Sequence, residues 1–382
     1  MLNLCYYIER GVLESFMKNK TFKVIGMMSG TSADGLSVAY CFVNFSKRKI
    51  KVRAYKTYKY SKNLTNKIIN ARSLSLNEIV KLHYELGRLW AKFLDKFIDE
   101  FDIKDIDLIS SHGQTIYHSS KDKLTLQIGE VEFISRRFNI PVAYDFRVGD
   151  IVFEGEGAPL IPFMDWFLFG ERRCVCLLNI GGISNISVVG RNIKTYGFDI
   201  GPGNTLMDWA INIYTNGRKT YDKDGLLALK GKIDFKKIEK FLKNPFFYKK
   251  PPKSLDREEF GKNFVIKNFD FKKEKIEDIL ATLNYFTAIS IKIAIERFVE
   301  EKPEELIVSG GGVYNKKLMD NIKNLLPDIV VKSISDYGIH PLAKEAAGFS
   351  LLGVARVLNI YSNFPSVTGA KKRVVLGKIS NP

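Results

Sequence analysis

Cysteine is scarce in this chain: four among 382 residues, too few for a disulfide framework. Cys174 and Cys176 form a C-x-C in an apparent strand, so both point to one face, and no nearby His or second Cys pair completes a metal site. A reduced, cytoplasmic protein is the simplest account of that usage. Long apolar runs are also missing; none reaches the ~20 residues needed to cross a bilayer. Residues 2–8 are mildly apolar but stop at Glu9-Arg10, without the apolar core of a secretory signal. No membrane partner is expected. There is no Gly-Lys-Ser/Thr of a Walker A loop, no zinc-finger or RNP pattern, no basic arm and no low-complexity tract. The net charge of +17 is spread along the chain, with only short clusters such as Lys272-Lys273 and Lys371-Lys372-Arg373. It reads as a solvated lysine-rich surface that steers anionic substrates, not as a nucleic-acid interface.

What is present is a chain long enough for two domains, 45% hydrophobic and 26% charged, with glycine-rich bends at regular places. The central stretch is residues 24–40, VIGMMSGTSADGLSVAY. It enters through an apolar run and leaves with Leu36, Val38, Tyr40 and Phe42 alternating with smaller residues, the period of a strand. The stretch therefore reads as a β-hairpin. Gly26, Gly30 and Gly35 let the backbone turn and approach a ligand. Ser29, Thr31 and Ser32 add hydroxyls, and Asp34 adds a carboxylate. Such a bend suits a phosphate chain and its divalent metal; an ordinary hairpin turn is the alternative.

A second strand–glycine–strand hairpin occupies residues 174–190, with Asn179, Gly181 and Gly182 at its bend. Residues 306–309 form a strand that runs into Gly310-Gly311-Gly312, and Asn315 starts the helix after it. Between these, residues 196–208 (YGFDIGPGNTLMD) put Asp199 at a strand end, as a catalytic base or as the N-cap of the following helix. In the first half, Ser75 and Glu78 form a capping box for a helix with apolar residues at Ile79, Leu82, Leu86, Leu89, Phe93 and Phe97, and His83 beside that stripe is packing. A short strand at 107–111 delivers His112, Gly113, Gln114 and Thr115 from its end. Residues 140–146 form another strand, and the Gly/Pro-rich stretch 155–159 is the candidate junction between domains. Lys253 and Arg257 are two cations of a rigid Pro-Pro loop, and residues 364–379 form an extended tail. The expected division is an N-terminal extension over 1–20, a first domain over 21–150 with the tail 362–382, and a second domain over 151–361.

Two phosphate-type hairpins, then a late strand–Gly-Gly-Gly–helix loop, are the order used by the two-domain kinases and ATPases of the actin, Hsp70 and hexokinase superfamily. With GMMSGTSADG, SSHGQT, QIGE, DFR, GEGAPLIP, NIGGISN, GFDIGPGN, PPKS with Arg257, ATLNYFTA, SGGGVYN, KEAAGF and PSVTGA, the chain resembles the anhydro-N-acetylmuramic acid kinases over nearly everything beyond its first twenty residues. The resemblance implies an α/β fold of two actin-like domains, each a mixed sheet flanked by helices, with the active site in the interdomain cleft. It implies an ATP- and Mg²⁺-dependent enzyme of peptidoglycan recycling that opens 1,6-anhydro-N-acetylmuramic acid with water and phosphorylates O6. Asp199 would be the base for that water. Ser29 to Gly35 and Asn179 to Gly182 would take the phosphates, with Mg²⁺ near Asp34, partly through water. Gly310, Gly311, Gly312 and Asn315 would meet the nucleoside, and His112, Gln114, Arg147 and Glu345 the sugar. Arg147 has a competing reading as an ion pair with Asp145 or Asp150. The partners implied are the amino sugar and ATP, with room for a homodimer. A sugar kinase acting on an open hydroxyl, and an actin-type nucleotide-dependent scaffold, are the alternatives.

Overall fold

The computed structural model describes residues 19–255 and 259–382. Arg257 and nearly all of the expected N-terminal extension lie outside the described residues. Two compact units divide the chain: residues 1–168 with 338–382, and residues 169–337.

The first unit is built on the hairpin β1 (Thr21–Ser29) and β2 (Gly35–Asn44), extended by β3 (Lys49–Lys59). On the other side of β1 come β4 (Leu108–Ser119), β6 (Val142–Tyr144) and β12 (Lys378–Ser380), while β5 (Leu124–Ile128) pairs with the far end of β4. β1 is antiparallel to β2 and parallel to β4. Val24, Ile25 and Met27 on β1 are all buried, as expected for a central strand covered on both faces. The capping box at Ser75 and Glu78 forms, and the helix it opens, Leu76–Glu100, buries Leu82, Leu86, Trp90, Leu94 and Phe97. His83 packs as expected: it accepts a hydrogen bond from the Gly129 N–H at 2.9 Å and pairs with Glu130 at 3.1 Å. Helix Lys344–Val357 lies against β1, β2 and β4 so closely that a Cβ on Gly26 would sit 2.0 Å from the Ala346 carbonyl oxygen.

In the second unit, β7 (Val175–Ile180), β8 (Ile183–Gly190) and β9 (Ile193–Pro202) form an antiparallel meander. β10 (Glu305–Ser309) adds to β7 in parallel, and β11 (Val330–Ser333) adds to β10. The order is therefore β9-β8-β7-β10-β11, and the first sheet runs β3-β2-β1-β4-β6 in the same sense. One topology is used twice, and the fold class is α/β with two mixed sheets flanked by helices. Helix Ile276–Phe298 is long and apolar enough to cross a membrane, but most of it is buried in this unit among Phe241, Phe247, Phe260 and the sheet.

The structure corrects several boundaries. His112 to Thr115 are not at a strand end: β4 runs on to Ser119 because β5 pairs with its second half. Asp199 is likewise inside β9, opposite Asn185. The stretch 155–159 turns back into the first unit, with the Gly157 N–H donating to Asp150 at 2.8 Å and the Glu156 N–H to the Thr368 carbonyl at 2.7 Å. The division falls at 168/169 and 337/338 instead of 150/151 and 361/362. The tail holds a helical turn, Pro365–Thr368, before β12.

Candidate functional site

The hairpin bend in the first unit is supported from below by a directional chain of buried groups. The Trp90 indole N–H donates to the Tyr60 hydroxyl at 2.8 Å, Tyr60 lies 2.9 Å from the Ser29 hydroxyl, and Ser29 donates to Gln114 Oε1 at 2.6 Å. The Gln114 amide N–H then reaches the Gly30 carbonyl at 3.1 Å. Ser29 and Gln114 are 1% and 0% exposed, so neither faces solvent. The sequence assigned Ser29 to phosphate and Gln114 to sugar; the structure uses both to hold the bend. Thr31, Ser32 and Asp34 are the exposed side chains of the bend, with the Ser32 hydroxyl donating to Asp34 at 2.9 Å. A Cβ on Gly30 would meet nothing closer than 3.8 Å, so its face is open, whereas Gly35 is required by the Tyr58 carbonyl 2.4 Å away and Gly26 by the helix above it.

His112, Arg147 and Glu345 occupy the same unit. The His112 ring lies 4.7 Å from the Phe349 ring, donates from Nδ1 to the Gly113 carbonyl at 2.9 Å and accepts at Nε2 from Arg147 Nε at 3.0 Å. Burial, reinforced by the Arg147 charge, pushes the imidazole down to about 3, so it stays neutral. Arg147 also donates to the Gly157 carbonyl at 2.9 Å. Its competing ion pairs do not form: Asp145 pairs with Lys378, and Asp150 accepts from Gly157, Asn363 and Thr368. Desolvation lowers the guanidinium to about 10, against the opposing pull of the Glu345 carboxylate. Glu345, in the first turn of helix Lys344–Val357, keeps an exposed surface; desolvation by the protein around it and the charge of Asp34 raise its carboxyl, and Lys344 and Arg147 pull it back.

In the second unit, three glycine turns meet. The Gly203 N–H donates to the Gly182 carbonyl at 2.8 Å and the Asn204 N–H to the Gly181 carbonyl at 2.8 Å. These bonds fasten the hairpin bend to the start of helix Thr205–Tyr214. Gly310, with φ of +83°, abuts the Ile180 carbonyl, where a side chain would lie 2.6 Å away. Asn179 is level with Ser309 at the carboxyl ends of β7 and β10. Such ends of parallel strands are where open α/β sheets bind ligands. Gly181 and Gly311 keep open faces, since a Cβ added at either would meet nothing closer than 3.6 Å, while Gly312 is closed by Ile180. Asn315 caps helix Lys316–Leu325 by accepting from the Leu318 N–H at 3.0 Å, and it also accepts from Asn284 at 3.1 Å.

Asp199 does not cap the next helix, since Asn204 holds that position without a side-chain bond. Its Oδ2 accepts from the Leu255 N–H at 2.9 Å, its own N–H donates to the Lys253 carbonyl at 3.0 Å, and Oδ1 takes no hydrogen bond from a described residue. Burial raises the carboxyl, against the pull of the Leu255 N–H and Lys253. Two groups escaped the sequence reading. Asn204 binds the Ile180 carbonyl at 3.3 Å, and Asp208, one turn further along, is pushed up to about 7 by burial. Their signal lay in the GPGNTLMD run, where both sit one helical turn apart.

A family model described as anhydro-N-acetylmuramic acid kinase matches residues 22–382. The anhydro-N-acetylmuramic acid kinase of Caldanaerobacter subterraneus subsp. tengcongensis is 37% identical over 381 residues, covering 94% of this chain and 96% of that protein. The one from Francisella tularensis subsp. novicida is 38% identical over 375 residues, covering 93% and 98%. Among solved structures, the chain aligns with the activator of the 2-hydroxyisocaproyl-CoA dehydratase from Clostridium difficile at a TM-score of 0.45 and 11% identity, covering 87% and 94%.

Proposed function

Because the chain belongs to the anhydro-N-acetylmuramic acid kinase family, we propose that it uses ATP to convert 1,6-anhydro-N-acetylmuramic acid to N-acetylmuramic acid 6-phosphate. The substrate is a bicyclic acetal, and its C1–O6 bond must break before O6 can hold a phosphoryl group. Water attacks C1, the C1–O6 pair of electrons stays on O6, and O6 takes the γ-phosphoryl group as ADP leaves. The proton lost by the water passes to a base.

Asp199 is that base. The observation that carries this is its carboxylate, fixed through Oδ2 while Oδ1 has no described partner. A positioned base contributes typically ~10²–10⁴-fold. Water approaching opposite O6 inverts C1, so the first product is the α anomer. Phosphoryl transfer needs alignment and charge neutralisation more than covalent help. Backbone N–H groups of the 30–35 bend and of the 179–182 bend are the donors available to phosphates. The Gly-Gly-Gly turn with Asn315 behind it serves the nucleoside. Mg²⁺ is commonly held by one or two carboxylates together with phosphates and water, and the exposed Asp34 suits that role. Bound there, the ion supplies charge neutralisation to the phosphates. Arg147 takes the lactyl carboxylate, supported by a guanidinium that has neither Asp145 nor Asp150 as a partner. Glu345 and His112 line the sugar. A reduced cytoplasmic setting suits the buried thiols of Cys41, Cys174 and Cys176.

The test is ADP release, coupled to a dehydrogenase readout, in the presence of the anhydro sugar. Wild type turns over, and Asp199→Asn loses about 10²–10⁴-fold in kcat. Equal rates would remove Asp199 from the chemistry.

A further inference from the structure

Lys253 is an unusual lysine. It is 6% exposed, although it belongs to a surface-type Pro-Pro loop. Its ammonium lies 4.5 Å from the centroid of the Phe246 ring, 4.6 Å from Phe298 and 5.8 Å from Phe198, and donates to the Phe246 carbonyl at 3.1 Å. A desolvated ammonium is costly unless something holds it there, and three π faces with one carbonyl recover part of that cost. The chain on either side of this cage is what fixes Asp199. The Lys253 carbonyl accepts from the Asp199 N–H at 3.0 Å, and the Leu255 N–H donates to Asp199 Oδ2 at 2.9 Å. Phe198, a wall of the cage, is the residue before Asp199 on β9.

We propose that Lys253 is a positioning residue for Asp199: its caged ammonium locks the 253–255 segment against β9 and presents a fixed positive charge to the carboxylate. This deepens the assignment of Asp199 as the base and rests on it. The physical logic is that a carboxylate must be ionised to accept a proton from water, and burial opposes ionisation. Two features act against burial here, the Leu255 N–H and the Lys253 charge. Among the described residues, the charged groups that act on this pair are the two themselves and Lys249. Burial above all, with Lys249 at the end of the turn Pro245–Tyr248, lowers the ammonium to about 8 against the opposing pull of Asp199 on β9. At neutral pH the lysine therefore keeps most of its charge.

The sign of the effect follows. Removing the charge raises the proton affinity of Asp199, so the acid limb of kcat/KM moves to higher pH. Lys253→Met keeps the length and fits among the phenyl rings, with Lys253→Gln as a second neutral replacement. Both raise the limb by up to about one pH unit, the lower end of the effect that an opposite charge has on a carboxyl. Activity below the limb falls by up to about tenfold and returns as pH rises, with KM for ATP unchanged. Lys253→Arg keeps the charge and leaves the limb where wild type has it. A purely structural lysine would instead depress activity equally at every pH. The same shift is read without turnover by titrating the ¹³C-labelled Asp199 carboxyl in the unliganded protein, assigned with Asp199→Asn. A midpoint raised in Lys253→Met upholds the inference, and a midpoint equal to wild type overturns it, whether or not the sugar is phosphorylated. Wild type that fails to turn over the sugar while the midpoint still shifts would sink the assignment of the base and not the coupling.

Discussion

Arg147 and His112 illustrate how two adjacent polar groups divide their work. The imidazole, pushed down to about 3 by burial and the neighbouring guanidinium, carries no charge near neutral pH. It acts as a shaped acceptor that turns Arg147 Nε in one direction, 3.0 Å away. The positive character of this part of the first unit is therefore the guanidinium's, and a planar fork is matched to a carboxylate. With the lactyl carboxylate as its partner, Arg147→Ala loses about 10–100-fold in kcat/KM, since hydrogen bonds to charged groups contribute roughly 1.5–3 kcal/mol each. The control is 1,6-anhydro-N-acetylglucosamine, which lacks the lactyl group. Wild type discriminates against it, and Arg147→Ala treats the two sugars alike; unchanged discrimination would move the carboxylate elsewhere. At this scale the sequence was partly legible. It singled out Arg147, His112, Asp199, Gln114 and Ser29 as candidates, but not that Gln114 and Ser29 are buried and hold the bend through each other. Their exposure depends on Tyr60 and Trp90, which are 31 residues from Ser29 and 30 from Tyr60 respectively, and no local pattern reveals that chain.

Among the elements, the two hairpin bends were the most legible features, because glycine between period-2 apolar runs has one common reading. Strand lengths were less so. β4 looked short because its second half is less apolar, and it is extended by pairing with β5, a long-range choice that local sequence does not record. Lys253 was visible as a loop cation, yet its cage comes from three separate elements, β9, the Pro245–Tyr248 turn and helix Ile276–Phe298. The junction of the 181–182 and 203–205 turns is tight enough to test. A Cβ on Gly203 would lie 2.3 Å from the Gly181 carbonyl oxygen, so Gly203→Ala must push the two turns apart. Overpacking of this kind costs about 1–3 kcal/mol, and if the turns hold nucleotide, affinity for a non-hydrolysable ATP analogue falls about tenfold or more. Calorimetry measures this, with circular dichroism to show that helix content is kept; affinity equal to wild type would detach these turns from nucleotide binding.

For the whole molecule, one strand order is used twice, and the family match runs over residues 22–382. The order was legible because each unit begins with its own glycine hairpin. The unit boundaries were not, because residues 155–159 carry breaker residues for a turn within the first unit. In the proposed reaction one turnover joins acetal hydrolysis to phosphoryl transfer, with water attacking carbon and O6 attacking phosphorus. A single turnover in ¹⁸O-water, quenched early and read by mass spectrometry with fragmentation, tests this most directly. One ¹⁸O is expected at C1 of the sugar 6-phosphate and none in the phosphate. Label in inorganic phosphate with the anhydro ring intact, or a phosphorylated sugar that has gained no water, would contradict it.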